Sequence, residues 1–203
     1  MSGGGSRREV PDLRIVHPAP QARRNAVPSP VLGMMMFVLT ELMLVSGFIS
    51  AFTISKAQAP AWPPPGQPRL PVEVTAVNTV VLLASGLVLW FAGRRFDKVG
   101  PAAARVPLAV AVVLGLAFVG LQGVEWVRLL SEGLTLASST YGSFFFLIIG
   151  FHGLHVMAGS AALIWQGTSL WRESLTSDGF WAGRLFWYFV VLVWPVLYWK
   201  VYL

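Results

Sequence analysis

Apolar residues in this chain gather in long blocks rather than at short periods. Five blocks run from about Val31 to Ile54, Val74 to Ala92, Val106 to Leu130, Tyr141 to Trp165 and Leu185 to Leu203. Each is about 19–25 residues long, the length a helix needs to cross roughly 30 Å of hydrocarbon. Barrel strands would alternate in polarity over about ten residues, and these blocks do not. Helices also satisfy their own backbone groups, as lipid demands. The pattern predicts an all-α fold: a polytopic transmembrane bundle of five helices. Between the blocks, Ala59–Pro71 carries six prolines and reads as extended chain. Arg94–Arg105 reads as a basic turn around Gly100-Pro101, and Ser131–Thr140 and Gln166–Arg184 as polar connectors. Residues 1–29 show no apolar period and hold three consecutive glycines, four prolines and five arginines, so they read as a disordered basic tail. No apolar stretch follows Arg7-Arg8, and Glu9 and Asp12 interrupt the segment, so a signal peptide is not expected. Residues 30–203 are left as one five-helix domain.

Charge then gives an orientation. Only 12% of residues are charged, about half the level of a soluble domain. The net charge of +6 would point to nucleic acid in a soluble protein. Here topology absorbs it. With the N-terminus inside, eleven Lys and Arg fall on the inner side and four on the outer, which predicts N-in and C-out. Nucleic acid is therefore not an expected partner, and membrane lipid is. Trp62, Trp126, Trp165, Trp171, Trp187 and Trp199 fall near expected helix ends, as an interfacial belt would.

Cysteine is absent and only His17, His152 and His155 are present. That excludes disulfides, Fe–S clusters and thiolate metal sites, and is too few histidines for a haem–copper centre. No metal site is expected on this chain, and no catalytic residue. The polar groups inside the blocks are the candidates that remain. Glu41 sits near the centre of the first block, where a charge costs about 2.5–3.5 kcal/mol. It reads either as a proton- or lipid-linked carboxyl or as a neutral carboxyl holding helices together. His152 and His155 bracket the midpoint of the fourth block. Their spacing suits a metal, but a zinc site needs three or four ligands, so hydrogen bonding between helices is the favoured reading. Antiparallel topology puts all three residues at one depth, so Glu41 is expected to bond one of these histidines. Gln122 and Glu125 share a face of the third block, with Arg128 placed to pair with Glu125. Asn78 and Ser85 on the second block, and Gly33, Gly47, Gly150 and Gly159 elsewhere, are expected to let helices pack closely.

Residues 141–145, Tyr-Gly-Ser-Phe-Phe, followed by Gly150-Phe151-His152-Gly153-Leu154-His155-Val156 and Gly159, resemble subunit III of haem–copper terminal oxidases. Thr40-Glu41 three residues after Phe37, Trp62-Pro63-Pro64, Leu70-Pro71, Asn78-Thr79 and Gln122 with Glu125-Trp126 are similar to that family's other motifs. The resemblance spans about residues 30–203 and matches a short five-helix bacterial form. It implies an accessory subunit of a cytochrome c oxidase that carries no redox centre of its own. Haem and copper would lie on partner subunits. It would pack on subunit I, with subunit II in the same complex, in the bacterial inner membrane with its N-terminus cytoplasmic. It implies bound phospholipid and support of proton uptake and turnover stability, resting on Glu41, His152, His155 and Glu125 as one buried polar cluster. The last helix departs from the family pattern: Tyr188 stands where a histidine is usual and Val191 where an aspartate is usual. A partner of a quinol oxidase or nitric oxide reductase is the alternative within the family, and a small proton channel or transporter the alternative outside it.

Overall fold

The computed structural model describes residues 28–203, which form five helices. These are α1 (Ser29–Gln58), α2 (Val72–Val99), α3 (Pro101–Ser131), α4 (Thr140–Trp171) and α5 (Ser177–Tyr202). All five are long and apolar enough to span a membrane. The expected tail, residues 1–29, lies outside the described residues except for Pro28 and for Ser29, which opens α1.

Every helix outruns its apolar block. They are 26 to 32 residues long, or about 39–48 Å at 1.5 Å per residue, longer than the roughly 30 Å of a hydrocarbon core. Apolar counting sees only the part in hydrocarbon. The basic turn expected over Arg94–Arg105 is helical except at Gly100. Arginine and lysine are good helix formers, and Gly100 alone breaks the run with φ 116°. Pro101 then starts α3 at a position where its missing N–H costs nothing. The connector before α5 is likewise shorter than expected. The side chain of Thr176 accepts the Gly179 N–H at 3.1 Å and starts the helix at Ser177, well before the apolar block at Leu185. Ser139 starts α4 in the same way, accepting the Gly142 N–H at 3.1 Å.

Contacts between helices arrange α2, α3, α4 and α5 as a closed ring in that order. α1 lies outside the ring and touches only α5 and α4. The ring is sealed by large side chains. Trp187 and Trp194 of α5 have no exposed surface, and their sockets explain where small residues fall. The Trp187 ring lies where a Cβ on Gly115 or Gly159 would be, and its Nε1 donates to Ser85 Oγ at 3.1 Å. Trp194 Nε1 donates to Thr79 Oγ1 at 2.8 Å. Trp187 is therefore a core residue and not part of an interfacial belt. Trp165, Trp171 and Trp199 are exposed near helix ends. Gly33 and Gly47 correct the packing expectation in the opposite sense: a Cβ at either would meet nothing within 4 Å. They lie on α1, most of whose surface no other helix covers.

Candidate functional site

The polar residues expected to form one cluster form two separate arrangements. The first joins α1 to α4. Glu41 is the thirteenth residue of α1, and His155 the sixteenth of α4, so both lie near mid-helix. Glu41 Oε2 stands 3.3 Å from His155 Nε2, with both side chains largely buried. That oxygen has no hydrogen-bond partner, so the two groups meet by close approach. His155 Nδ1 lies 2.8 Å from the Phe151 carbonyl. A carbonyl only accepts, so Nδ1 carries the hydrogen.

His152 takes another role. Its ring stacks on Trp194 at 4.9 Å and meets Phe118 edge-on at 6.2 Å. Its Nε2 is buried without a partner. A cavity of about 10 Å³, lined by both histidines, Phe48, Phe151 and Phe189, lies beside them, about enough for one water.

The second arrangement lies inside the ring, toward the C-terminal end of α3. Tyr202 Oη donates to Glu125 Oε1 at 2.7 Å, and the Thr75 hydroxyl lies 2.8 Å from Glu125 Oε2. Gln122 Nε2 donates to Tyr202 Oη at 3.2 Å, and Asn78 Nδ2 donates to Gln122 Oε1 at 3.2 Å. Asn78 Nδ2 also lies 3.3 Å from the Phe118 carbonyl. This network ties α2, α3 and α5 together. It overturns the expected Glu125–Arg128 pair. Glu125 is 5% exposed and points into the ring, whereas Arg128 points out and pairs with Glu132 at 2.9 Å. The Tyr202 hydroxyl, with the Thr75 hydroxyl shared between this carboxyl and the Pro71 carbonyl at 2.9 Å, holds Glu125 inside the bundle, where an exposed arginine would be screened by water.

Thr75 and Tyr202 were not legible as site residues. Thr75 lies one turn before Asn78 on the same stripe, and Tyr202 one turn after Tyr198, so the stripes were visible but not what faced them. Of the packing residues, Ser85 and Gly159 build the Trp187 socket, and a Cβ added at Gly150 would sit 3.4 Å from the Trp126 ring. Tyr188 is partly exposed, while Val191 packs on Gly86, where an added Cβ would sit 2.9 Å from it. Among the described residues, no three His, Asp or Glu converge as a metal site would require.

The paired Glu41 and His155, the Trp62 loop packed on Tyr141 and the Gln122–Glu125 stripe hold together motifs scattered over the sequence. Residues 24–203 match the family model for cytochrome c oxidase subunit III. Cytochrome c oxidase subunit 3 of Danio rerio is 40% identical over 182 residues, covering 84% of this chain and 67% of the relative. The proteins of the same name from Ornithorhynchus anatinus and Pelomedusa subrufa are 37% and 36% identical with the same coverage of both chains. A match of this extent, carried on a five-helix membrane bundle, places the chain in the cytochrome c oxidase subunit III family.

Proposed function

We propose that this chain is the non-catalytic subunit III of a bacterial respiratory haem–copper oxidase of cytochrome c type. It packs on subunit I, with subunit II in the same complex, and haem and copper are held by those partners. Its N-terminus is cytoplasmic and its C-terminus outside, following the bias of eleven basic residues against four. Within the complex it supports proton uptake, binds phospholipid and prolongs turnover. The observation that carries the reading is the Glu41–His155 contact at mid-helix: a carboxyl and an imidazole 3.3 Å apart on the helix least tied to the rest of the chain. Family membership supports the assignment to an oxidase.

Purification in mild detergent through a C-terminal tag tests it. Subunits I and II with haem absorbance are expected to co-purify, and a colourless homo-oligomer would point to a channel or transporter instead. Glu41→Ala is expected to leave initial oxidase activity near normal while lowering proton coupling or lifetime under turnover. Immediate loss of activity with the complex intact would make Glu41 catalytic. Val191, apolar and packed on Gly86 where the family usually carries an acid, favours a divergent partner as the second reading. Electron-donor assays on the purified complex separate cytochrome c from quinol or nitric oxide chemistry.

A further inference from the structure

The hydrogen bonds around Tyr202 run in one direction. Asn78 Nδ2 donates to Gln122 Oε1 at 3.2 Å, so the Gln122 amide presents its Nε2 to Tyr202 Oη, also at 3.2 Å. The phenolic hydrogen is left for Glu125 Oε1, 2.7 Å away. That length falls in the range of a hydroxyl bonded to a charged carboxylate. Both groups are buried, with Tyr202 7% and Glu125 5% exposed. The other tyrosines lack such a partner. Tyr198 donates to the Val72 carbonyl at 3.0 Å and Tyr141 reaches the Pro68 carbonyl at 3.5 Å, and a carbonyl does not take a proton from a phenol. Among the described residues, Tyr202 is the one tyrosine hydrogen-bonded to a carboxylate. Two more oxidisable rings lie against it, Tyr198 at 5.6 Å and Trp194 at 6.4 Å between ring centres. Trp194 Nε1 donates to the Thr79 hydroxyl at 2.8 Å, a group too weakly basic to accept the indole proton.

A phenol aimed at a buried base is the arrangement that lets a tyrosine lose an electron and a proton together. We propose that Tyr202 and Glu125, with Glu125 ionised, form a redox-active pair that gives one electron to a high-potential one-electron oxidant outside the chain. The phenolic O–H bond breaks and an O–H bond forms on Glu125 Oε1. One electron leaves to reduce the oxidant, and a neutral tyrosyl radical and a neutral carboxylic acid remain. The site passes from one negative charge to none, which a water-poor interior favours. The phenoxyl oxygen then accepts from both the Gln122 N–H and the new Glu125 O–H. Return of one electron from an outside donor sends the proton back. An oxidised Trp194, with no base to take its proton, draws its electron from Tyr202, so the pair is the sink for oxidation that starts in neighbouring rings. It shares no residue with Glu41 and His155 and needs no oxidase subunit, so it stands or fails apart from the proposed function.

The test photo-oxidises the purified full chain in mild detergent with a ruthenium tris-bipyridine sensitiser and persulfate, and follows radicals by electron paramagnetic resonance. The wild type is expected to give a neutral tyrosyl radical whose high-field spectrum shows a hydrogen-bonded phenoxyl oxygen. Tyr202→Phe keeps the ring that packs on Phe145 and Trp194 and is expected to lose this signal. Glu125→Gln keeps an acceptor for the phenol but cannot take its proton. It is expected to slow radical formation about a hundredfold, the worth of a positioned base. Tyr141→Phe and Tyr188→Phe are expected to keep the signal. Formation in the wild type is expected to slow in heavy water, a readout that needs no variant to fold. The wild-type signal persisting in Tyr202→Phe, an unslowed Glu125→Gln, equal rates in heavy and ordinary water, or a radical without a hydrogen-bonded oxygen would overturn the pair.

Discussion

α1 and the four-helix ring are all apolar enough to span a membrane but are held by different means. In the ring, polar side chains reach across helices: Tyr202 and Thr75 to Glu125, Trp187 to Ser85, Trp194 to Thr79. In α1, the hydroxyls of Thr40, Ser46 and Thr53 bond to carbonyls of their own helix. Among the described residues, its polar contact to another helix is Glu41 to His155. The rest of its attachment is aromatic, with Phe37 on Phe186, Phe48 on Phe151 and Phe52 against Phe144 and Trp62. Phe52 is its sole buried residue. Hydrophobicity in a membrane protein therefore says that a helix inserts, not that it packs. Packing comes from sockets and hydrogen bonds, since lipid is as apolar as a leucine.

The largest expected effect sharpens the ring side of this contrast. Trp187→Ala empties the socket formed by Gly115 and Gly159 and frees Ser85, and is expected to cost about 3–5 kcal/mol. The loss would appear as a lowered thermal midpoint in detergent, and an unchanged midpoint would break the idea that this socket holds the ring. Next, Glu125→Ala leaves the Tyr202 hydroxyl without its acceptor in the interior, while Thr75 keeps the Pro71 carbonyl, at about 1–3 kcal/mol. Glu125→Gln should recover much of it, because the amide still accepts from one hydroxyl. Glu41→Ala acts on α1 alone. Hydrogen exchange should rise across Ser29–Gln58 and stay level in α2 to α5, and an equal rise in the ring would show that α1 is integral to it. Smallest of all, Gly33→Ala and Gly47→Ala meet open space. In the isolated chain they are expected to change stability by under about 1 kcal/mol, in the stabilising direction given by helix propensity. If the same substitutions weaken assembly with other subunits, α1 packs outside its own chain.

Much of the site was legible at the level of depth. Glu41 and the two histidines stand at the centres of their apolar blocks, and antiparallel helices bring centres level. Which histidine meets Glu41 was not legible. His152 and His155 are about 60° apart around α4, so the choice depends on how α4 is rotated against α1 and α5. The structure turns His155 to Glu41 and His152 to Trp194. Glu125 and Arg128 show the same limit. Their spacing permits a pair, but the hydroxyls of Thr75 and Tyr202, distant in sequence, offer the carboxyl better partners.

The sequence by itself determined that five helices cross a membrane, because spanning depends on length and mean hydropathy, which are properties of each segment alone. It also marked the residues too polar to face lipid. Only the tertiary structure decided that Trp187 belongs to the core, that Gly33 and Gly47 face open space and that the polar residues divide into two sites. Those outcomes turn on the rotation and neighbours of each helix, and a uniformly apolar segment carries no amphipathic stripe from which to read them.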